Sequence, residues 1–202
     1  MKIYDSKGAP NPRRVRMFLA EKGLSVPFEP VDIGKAVNRQ PDFLRINPLA
    51  GVPVLELDDG THISESVAIC RYFEETNPEP PLFGVGAKER ALVEMWNRRI
   101  ELAVMIPIAD SFRQQHEFFK GRIRQVPDYA EAQRLNAVER LAWLDGELVN
   151  RQFIAGDRFS IADITALIAI DFGRVSKIAI QPDQKNLARW HAEVSARPSA
   201  KA

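Results

Sequence analysis

The stretch Val52-Pro53-Val54-Leu55-Glu56-Leu57-Asp58-Asp59-Gly60-Thr61-His62-Ile63-Ser64-Glu65-Ser66 decides how the chain is read. Val52 to Leu57 has the composition of a strand. Asp58-Asp59-Gly60-Thr61 is a strong turn signal, because glycine accepts positive φ and aspartate bonds its own backbone. His62-Ile63 is the returning strand. Ser64 is expected to cap a helix that carries Val67, Cys70 and Phe73 on one face. Pro53 opens the first strand. It is either a trans proline at a strand's first residue or one of the about 5–6% of X-Pro bonds that are cis. The pattern alone favours trans; a cis bond would turn the Val52 backbone outward, open to a peptide-like ligand.

Upstream, Lys2-Ile3-Tyr4 is a short β-prone opening. Asn11-Pro12 is expected to start a helix, with Asn11 as N-cap and Pro12 at the first helical position. Val15, Phe18, Leu19 and Lys22 follow at helical spacing, with the lysine stem covering the apolar edge. Gly23 stands where a helix ends. Val26 to Ile33 reads as a strand, restricted to a sheet edge by Pro27 and Pro30. Pro41 to Ile46 reads as a short helix. The order β-α-β-α-β-β-α fits a four-stranded mixed sheet with helices on its faces.

Downstream the chain changes character. Asn77-Pro78-Glu79-Pro80-Pro81 reads as a stiff linker, and the rest is helical. Ala87 to Ile106 is long and periodic, with Pro107 expected to kink or end it. Pro127-Asp128 opens another helix to about Asn150. Ser160-Ile161-Ala162-Asp163 resembles a capping box with Asp in place of Glu. The stretch after it, Ile164 to Ile170, is apolar on most sides and reads as a buried helix, being too short for a membrane span. Asn186 to Ala196 is the last helix.

Composition excludes several classes. The 202 residues carry 28 Lys and Arg against 27 Asp and Glu, a net charge of +1, which gives no support to binding nucleic acid. Hydrophobic residues are 45% and charged ones 27%, so the chain can bury a core. A single cysteine rules out an internal disulfide framework and suits a reducing compartment. No signal peptide or membrane-spanning run is visible, so the expectation is a cytoplasmic protein. The three histidines stand far apart in sequence, and no metal is expected. Cys70, on the apolar face with Val67 and Phe73, reads as a buried, inert thiol.

Glu65 and Ser66 lie in a helix's first turn, where free N–H groups favour an anion. The serine adds a donor and the glutamate an ammonium acceptor, so the pair suits an α-amino acid head. Taken alone, the same two residues are read first as ordinary helix-start chemistry, where Ser and Glu are common.

Taken in order, these features resemble the cytosolic glutathione transferases. The resemblance rests on Val52-Pro53, Glu65-Ser66, the proline linker, the all-helical second half and Phe159-Ser160-Ile161-Ala162-Asp163, and it covers Met1 to about Pro198. It implies a thioredoxin-like α/β N-terminal domain (1–76), a linker (77–86) and an all-α C-terminal bundle (87–202). It implies that Glu65 and Ser66 hold the γ-glutamyl head of glutathione, and that Val52, before a cis Pro53, pairs with the cysteinyl backbone. Lys35 falls where related classes meet the glycyl carboxylate, with Asn38 and Gln40 in the same loop; an ordinary surface lysine reads the same way.

One departure stands out. Most classes place Tyr, Ser or Cys at the start of the first helix to serve the sulfur, and Ala9, Pro10 and Asn11 are none of these. Tyr4 and Ser6 are nearby but off register. Asn-Pro-Arg-Arg-Val-Arg is most similar to a bacterial branch resembling the atypical fungal-type transferases, which act through the first helix's N-terminus. Pro12 has no N–H, so the first free donor is expected at Arg13 or Arg14, and Asn11 and Arg13 are the catalytic candidates. Arg13, Arg14 and Arg16 either add positive potential or form a solvated face. Ser111, Phe112 and His116, with Phe118 and Phe119, are candidates for the electrophile pocket or for ordering a water near the sulfur; a core role for the aromatics and a surface role for His116 fit the pattern equally.

The function implied is attack of a glutathione thiolate on a small hydrophobic electrophile. Glutathione is the co-substrate, no further cofactor or metal takes part, and a homodimer is the usual assembly. Asn11 keeps a glutathione-dependent disulfide reductase or peroxidase in view. The missing Tyr, Ser or Cys keeps a non-catalytic interaction protein in view, since fold does not imply function.

Overall fold

The computed structural model describes residues 1–202. The chain folds as two compact units, Met1–Pro81 with the terminal Lys201–Ala202, and Leu82–Ala200.

The first unit holds β1 (Lys2–Asp5), α1 (Pro10–Glu21), β2 (Phe28–Pro30), α2 (Pro41–Ile46), β3 (Val54–Glu56), β4 (His62–Ser64) and α3 (Ser66–Thr76). The sheet order is β2-β1-β3-β4. The proline-containing β2 lies at the edge, parallel to β1, and the β3–β4 hairpin is antiparallel. Ile3 and Leu55 form one cross-strand pair and Tyr4 and Val54 the next, so alternation sends them to opposite faces. On one face Tyr4 and Val54 pack with Val31 and Phe43 of α2's side, the Tyr4 and Phe43 rings meeting edge-on at 6.0 Å. α1 and α3 pack against each other and bury Phe18, Ile69, Cys70 and Phe73. Cys70 is fully buried, and burial pushes its thiol up to about 12.

Two expected helix starts are corrected. α1 begins at Pro10 with Ala9 as N-cap, so Asn11 is inside the first turn and caps nothing. Pro10 accounts for this: it supplies the preset φ one step earlier than Pro12. Ser64 ends β4, paired with Val54, and the N-cap of α3 is Glu65 at φ 69. Gly23 does close α1: at φ 66 it donates to the Ala20 carbonyl and Leu24 to the Leu19 carbonyl, the five-to-two and six-to-one bonds of a Schellman end.

Lys22 was expected to lay its stem along an apolar edge, yet its side chain is fully buried to the ammonium. Nζ lies 2.6 Å from a Glu74 carboxylate oxygen and donates to the Asn77 and Pro80 carbonyls at 2.8 and 2.6 Å. The lysine thus fastens the end of α1 to the end of α3 and to the proline-rich segment.

The second unit holds α4 (Gly86–Ile100), α5 (Ile106–Arg113), α6 (Pro127–Glu147), α7 (Ile161–Gly173) and α8 (Lys185–Ser195). Pro107 does not end the helix. Glu101–Met105 widens into a π-helical turn, closed by the Ile106 amide to the Glu101 carbonyl, and α5 continues with Pro107 in its first turn. The wide turn accommodates the ring and the missing donor that would break a regular helix. α7 is the buried helix anticipated, and the Ser160–Asp163 capping box is formed. Fully buried Asp163 also accepts from the Ile154 amide and Trp190 Nε1, both at 2.8 Å. Burial pushes its carboxyl up to about 6 against the pull of these donors. No helix is long and apolar enough to cross a membrane.

The Lys22 contacts give a stability test. Lys22→Met removes the ammonium shared by the Glu74 carboxylate and the Asn77 and Pro80 carbonyls and is expected to cost about 3–5 kcal/mol, read from the urea midpoint of unfolding. Lys22→Met with Glu74→Met is expected to recover most of that loss.

Candidate functional site

At the start of α3 the backbone turns sharply. Glu65 is exposed and held at φ 69, ψ 115, a conformation unfavourable for a residue with a Cβ. The first helical bond of α3 runs from the Ile69 amide to the Glu65 carbonyl, so the amides of Ser66 and Val67 precede the ladder. Ser66 is 5% exposed, and its Oγ accepts a 2.8 Å hydrogen bond from Arg14 Nη1. An open carboxylate and unpaired helix-start donors therefore stand next to each other.

The loop before β3 is built by Asn47, which is 4% exposed. Its Nδ2 donates to the Gly51 carbonyl at 2.9 Å and its Oδ1 accepts from the Leu49 amide at 3.1 Å. Val52–Pro53 is cis. The hairpin ladder starts only at Val54, which leaves the Val52 backbone outside it. Asn38 lies against the same loop, donating from Nδ2 to the Ala50 carbonyl at 2.7 Å. Lys35 is on the surface, its side chain 84% exposed and its Nζ 3.5 Å from Asp32. Its amide donates to the Asp32 carboxylate, which holds that carboxyl below its ordinary range.

At the start of α1 the donor expected of Arg13 is already used: its amide bonds to the Ala9 carbonyl at 3.3 Å. The Ala9 amide bonds to the Ser6 carbonyl, and Pro10 and Pro12 have no N–H. The first turn therefore has one unpaired backbone donor, the Asn11 amide. The arginines divide by role. Arg13 is half-buried, and Arg14 is 1% exposed. Arg16 is held by Asp5 at 2.5 Å and the Lys7 carbonyl at 3.0 Å. Arg14 alone of the three is buried, so the solvated face that was one of the two readings does not hold for it. Its spacing to Phe18 and Lys22 on one helical face is the signal that could have found it. The Tyr4 hydroxyl donates to Glu56 at 2.6 Å, and burial with that carboxylate raises its pKa. Tyr4 is thus occupied elsewhere.

In the second unit, Phe112 packs at a tilt of 41° against exposed His116 with centroids 4.4 Å apart and meets Phe119 and Phe172 edge-on. His116 Nδ1 accepts from the Phe118 amide at 3.1 Å. Ser111 is fully buried and its Oγ has no hydrogen-bond partner; it falls on the inner face of α5 with Ile108. No group of three or more His, Cys, Asp or Glu gathers as metal ligands would.

The comparisons with known proteins agree with this arrangement. Residues 9–76 match the glutathione S-transferase N-terminal domain and residues 99–198 the glutathione S-transferase C-terminal domain. The chain belongs to the glutathione S-transferase family and is a transferase enzyme. Glutathione S-transferase 2 of Saccharomyces cerevisiae is 35% identical over all of this chain and 88% of that protein. The crystal structure of Gtt2 from the same yeast superposes with a TM-score of 0.95, covering 100% of this chain and 99% of the other at 35% identity. A glutathione S-transferase domain-containing protein of Marinobacter aquaeolei is 41% identical, with a TM-score of 0.94 over 98% and 99% of the two chains. The expected relation to the fungal-type transferases is thereby met.

The strained turn separates binding from stability. Glu65→Gly and Glu65→Ala both remove the carboxylate, and both are expected to weaken glutathione binding in calorimetry. Only glycine relieves the positive φ, so Glu65→Gly is expected to be about 1 kcal/mol more stable than Glu65→Ala in urea unfolding.

Proposed function

We propose that this chain conjugates the glutathione thiolate to small hydrophobic electrophiles, with the thiolate stabilised mainly by the N-terminus of α1. The observation that carries the reading is the first turn of α1, where two prolines leave the Asn11 amide as the sole backbone donor and no Tyr, Ser or Cys competes with it. The γ-glutamyl ammonium meets Glu65, and its carboxylate meets the Ser66 hydroxyl and the Ser66 and Val67 amides. The cysteinyl backbone pairs with the N–H and carbonyl of Val52, beside Pro53. Lys35 is free to reach the glycyl carboxylate, because its surface contact with Asp32 is weak. Asn38 steadies the loop that carries Val52. Arg13 adds positive charge beside the helix start.

Magnitudes support the absence of a hydroxyl. A thiol titrates near pH 8.5, and lowering it by two units needs about 2.7 kcal/mol. A partly buried helix end supplies up to ~2 kcal/mol. One hydrogen bond to a charged group adds roughly 1.5–3 kcal/mol. In the second unit the Phe112–His116 pair is the surface assigned to the electrophile, with Ser111 on the same helix, α5, as Phe112. The enzyme in this reading is a cytoplasmic homodimer whose only co-substrate is glutathione, with a glutathione-binding domain at 1–76, a linker at 77–86 and a helical domain at 87–202.

Retention on immobilised glutathione and turnover of a chlorinated aromatic test the reaction; loss of both, or turnover of a disulfide substrate alone, overturns it. An ultraviolet titration of the bound thiolate tests the activation. Tyr4→Phe and Ser6→Ala are each expected to lose less than about tenfold in rate, or 1.36 kcal/mol. Asn11→Ala is expected to move the thiolate midpoint up by about one pH unit, through loss of its side-chain amide. Abolition of the thiolate by Ser6→Ala, with Asn11→Ala silent, would make this a serine-type enzyme.

A further inference from the structure

The segment 113–126, which joins α5 to α6, carries four basic residues, Arg113, Lys120, Arg122 and Arg124, against one acid, Glu117. The whole chain has a net charge of only +1, so this excess is local. Side-chain bonds draw the two ends of the segment together. Gln125 Nε2 donates to the Arg113 and His116 carbonyls at 2.8 and 2.9 Å, and Gln114 Oε1 accepts from the Val126 amide at 2.9 Å. Phe112, Phe118 and Phe119 are each half-buried, which leaves aromatic surface open to solvent. Phe119 meets Phe112 at 5.5 Å and Phe118 at 5.0 Å. The Arg122 guanidinium lies over the Phe118 ring, 4.1 Å from its centroid. Rings and cation thus run without a break from His116, through Phe112, Phe119 and Phe118, to Arg122.

The four cations differ in their surroundings. Arg113 lies 3.8 Å from Asp110, and Lys120 lies 3.6 Å from Glu117, so each has a counter-charge at hand. Arg124 is exposed and has no ion-pair partner. Arg122 is half-buried and holds its charge against an apolar ring, where screening is weaker than in open water. His116 Nδ1 accepts from the Phe118 amide, so the neutral imidazole carries its hydrogen on Nε2 and presents a donor. A neutral electrophile gains only ring contacts from such a surface, whereas an anionic one gains ring contacts and charge. We infer that this segment selects aromatic electrophiles that carry a carboxylate: the ring packs on the phenylalanines, and Arg122 and Arg124 draw the anion. This assignment rests on the conjugation reading above and adds to it the class of electrophile. The step itself is unaltered. The thiolate sulfur bonds to the ring carbon that bears the halogen, the carbon–halogen bond breaks, and the halide leaves with the electron pair. The thiol proton has already passed to solvent.

The experiment measures kcat/KM, with glutathione, for para-chloro-meta-nitrobenzoate and for the matching benzamide. The quantity read is the acid-to-amide ratio of each variant relative to the unaltered protein, in which the intrinsic reactivities of the two substrates cancel. Arg124→Gln is expected to lower the ratio about threefold and Arg122→Gln about fivefold, as for partly exposed charge pairs, with the loss in KM. Arg124→Glu, which reverses the charge, is expected to lower it about tenfold. Raising the ionic strength from about 0.01 M to about 1 M is expected to lower the ratio in the unaltered protein and far less when both arginines are glutamine. Arg140→Gln, at an exposed arginine of α6, is expected to leave the ratio unchanged. A ratio that stays constant in the Arg122 and Arg124 variants, or one that falls as far in Arg140→Gln, would overturn the proposal. Should Arg122→Gln fail to fold by circular dichroism, the two substitutions at exposed Arg124 and the salt dependence decide by the same criteria. Turnover of the benzamide without the benzoate overturns the proposal and leaves the conjugation reading standing. Absence of turnover with both, and with a neutral chlorinated dinitrobenzene, removes that reading and the proposal with it.

Discussion

The register of α1 against α3 is the constraint on which the first unit depends. Arg14 reaches Ser66 near the N-terminal ends, and Lys22 reaches Glu74 near the C-terminal ends. The two contacts are eight residues apart on each helix, about 12 Å at the helical rise. The helices must therefore run parallel and in step, with Phe18, Ile69, Cys70 and Phe73 closed between them. A slip of one turn would leave two buried cations facing apolar side chains, which is far more costly than any repacking of the apolar residues. Parallel helices in register also bring their positive ends to the same end of the pair. The proposed function uses that geometry: a small peptide would meet the start of α3 through its amino acid head and the start of α1 through its sulfur.

Much of this was legible in the sequence, and the parts that were not share a cause. The edge position of β2 followed from Pro27 and Pro30, α2 from Pro41, and the α7 capping box from Ser160 and Asp163. Each is a local rule with no strong competitor. The failures came where two local rules applied at once. Pro10 and Pro12 both suit a helix start, and Pro10 won, moving Asn11 off the cap. Ser64 is a good cap by residue type, but its pairing with Val54 in the hairpin kept it in the strand. The helix then began one residue later, at a glutamate in an unfavourable conformation. Pro107 marked a disruption correctly, but its form, a π-helical turn that keeps the helix going, depends on packing against α7 that no local pattern encodes.

The candidate site stood out in the sequence as a set of residue types, while its contacts were hidden. Glu65, Ser66, Val52 and Pro53 stood out because proline and helix-start residues have few conformations. Arg14 and Lys22 did not, because charged residues on a helix are usually solvated. The periodicity that placed Val15 and Phe18 inward applied equally to Arg14, which was left out of it, and to Lys22, which was read at that spacing with only its stem on the apolar edge. Asn47 was passed over for the opposite reason: asparagine is common in loops, and only its full set of backbone bonds shows that it shapes the approach to Val52.

The two helix starts solve opposite problems with the same physics. At α3 three donors, the Ser66 hydroxyl and the Ser66 and Val67 amides, stand together over a buried arginine. That suits a carboxylate, which has about four lone-pair sites and is fully ionised at neutral pH. At α1 two prolines and two internal hydrogen bonds strip the turn to one amide donor. That suits a thiolate, which is larger and a weaker acceptor than a carboxylate and needs its pKa moved by only about two units. A turn with many donors would sit in water until the ligand arrived, and each donor would have to be desolvated. A turn with one donor and a helix dipole behind it has less to desolvate. Removing backbone donors thus follows the same logic as omitting the hydroxyl: in the proposed reading the helix field and Asn11 stabilise the thiolate without a dedicated side-chain acid.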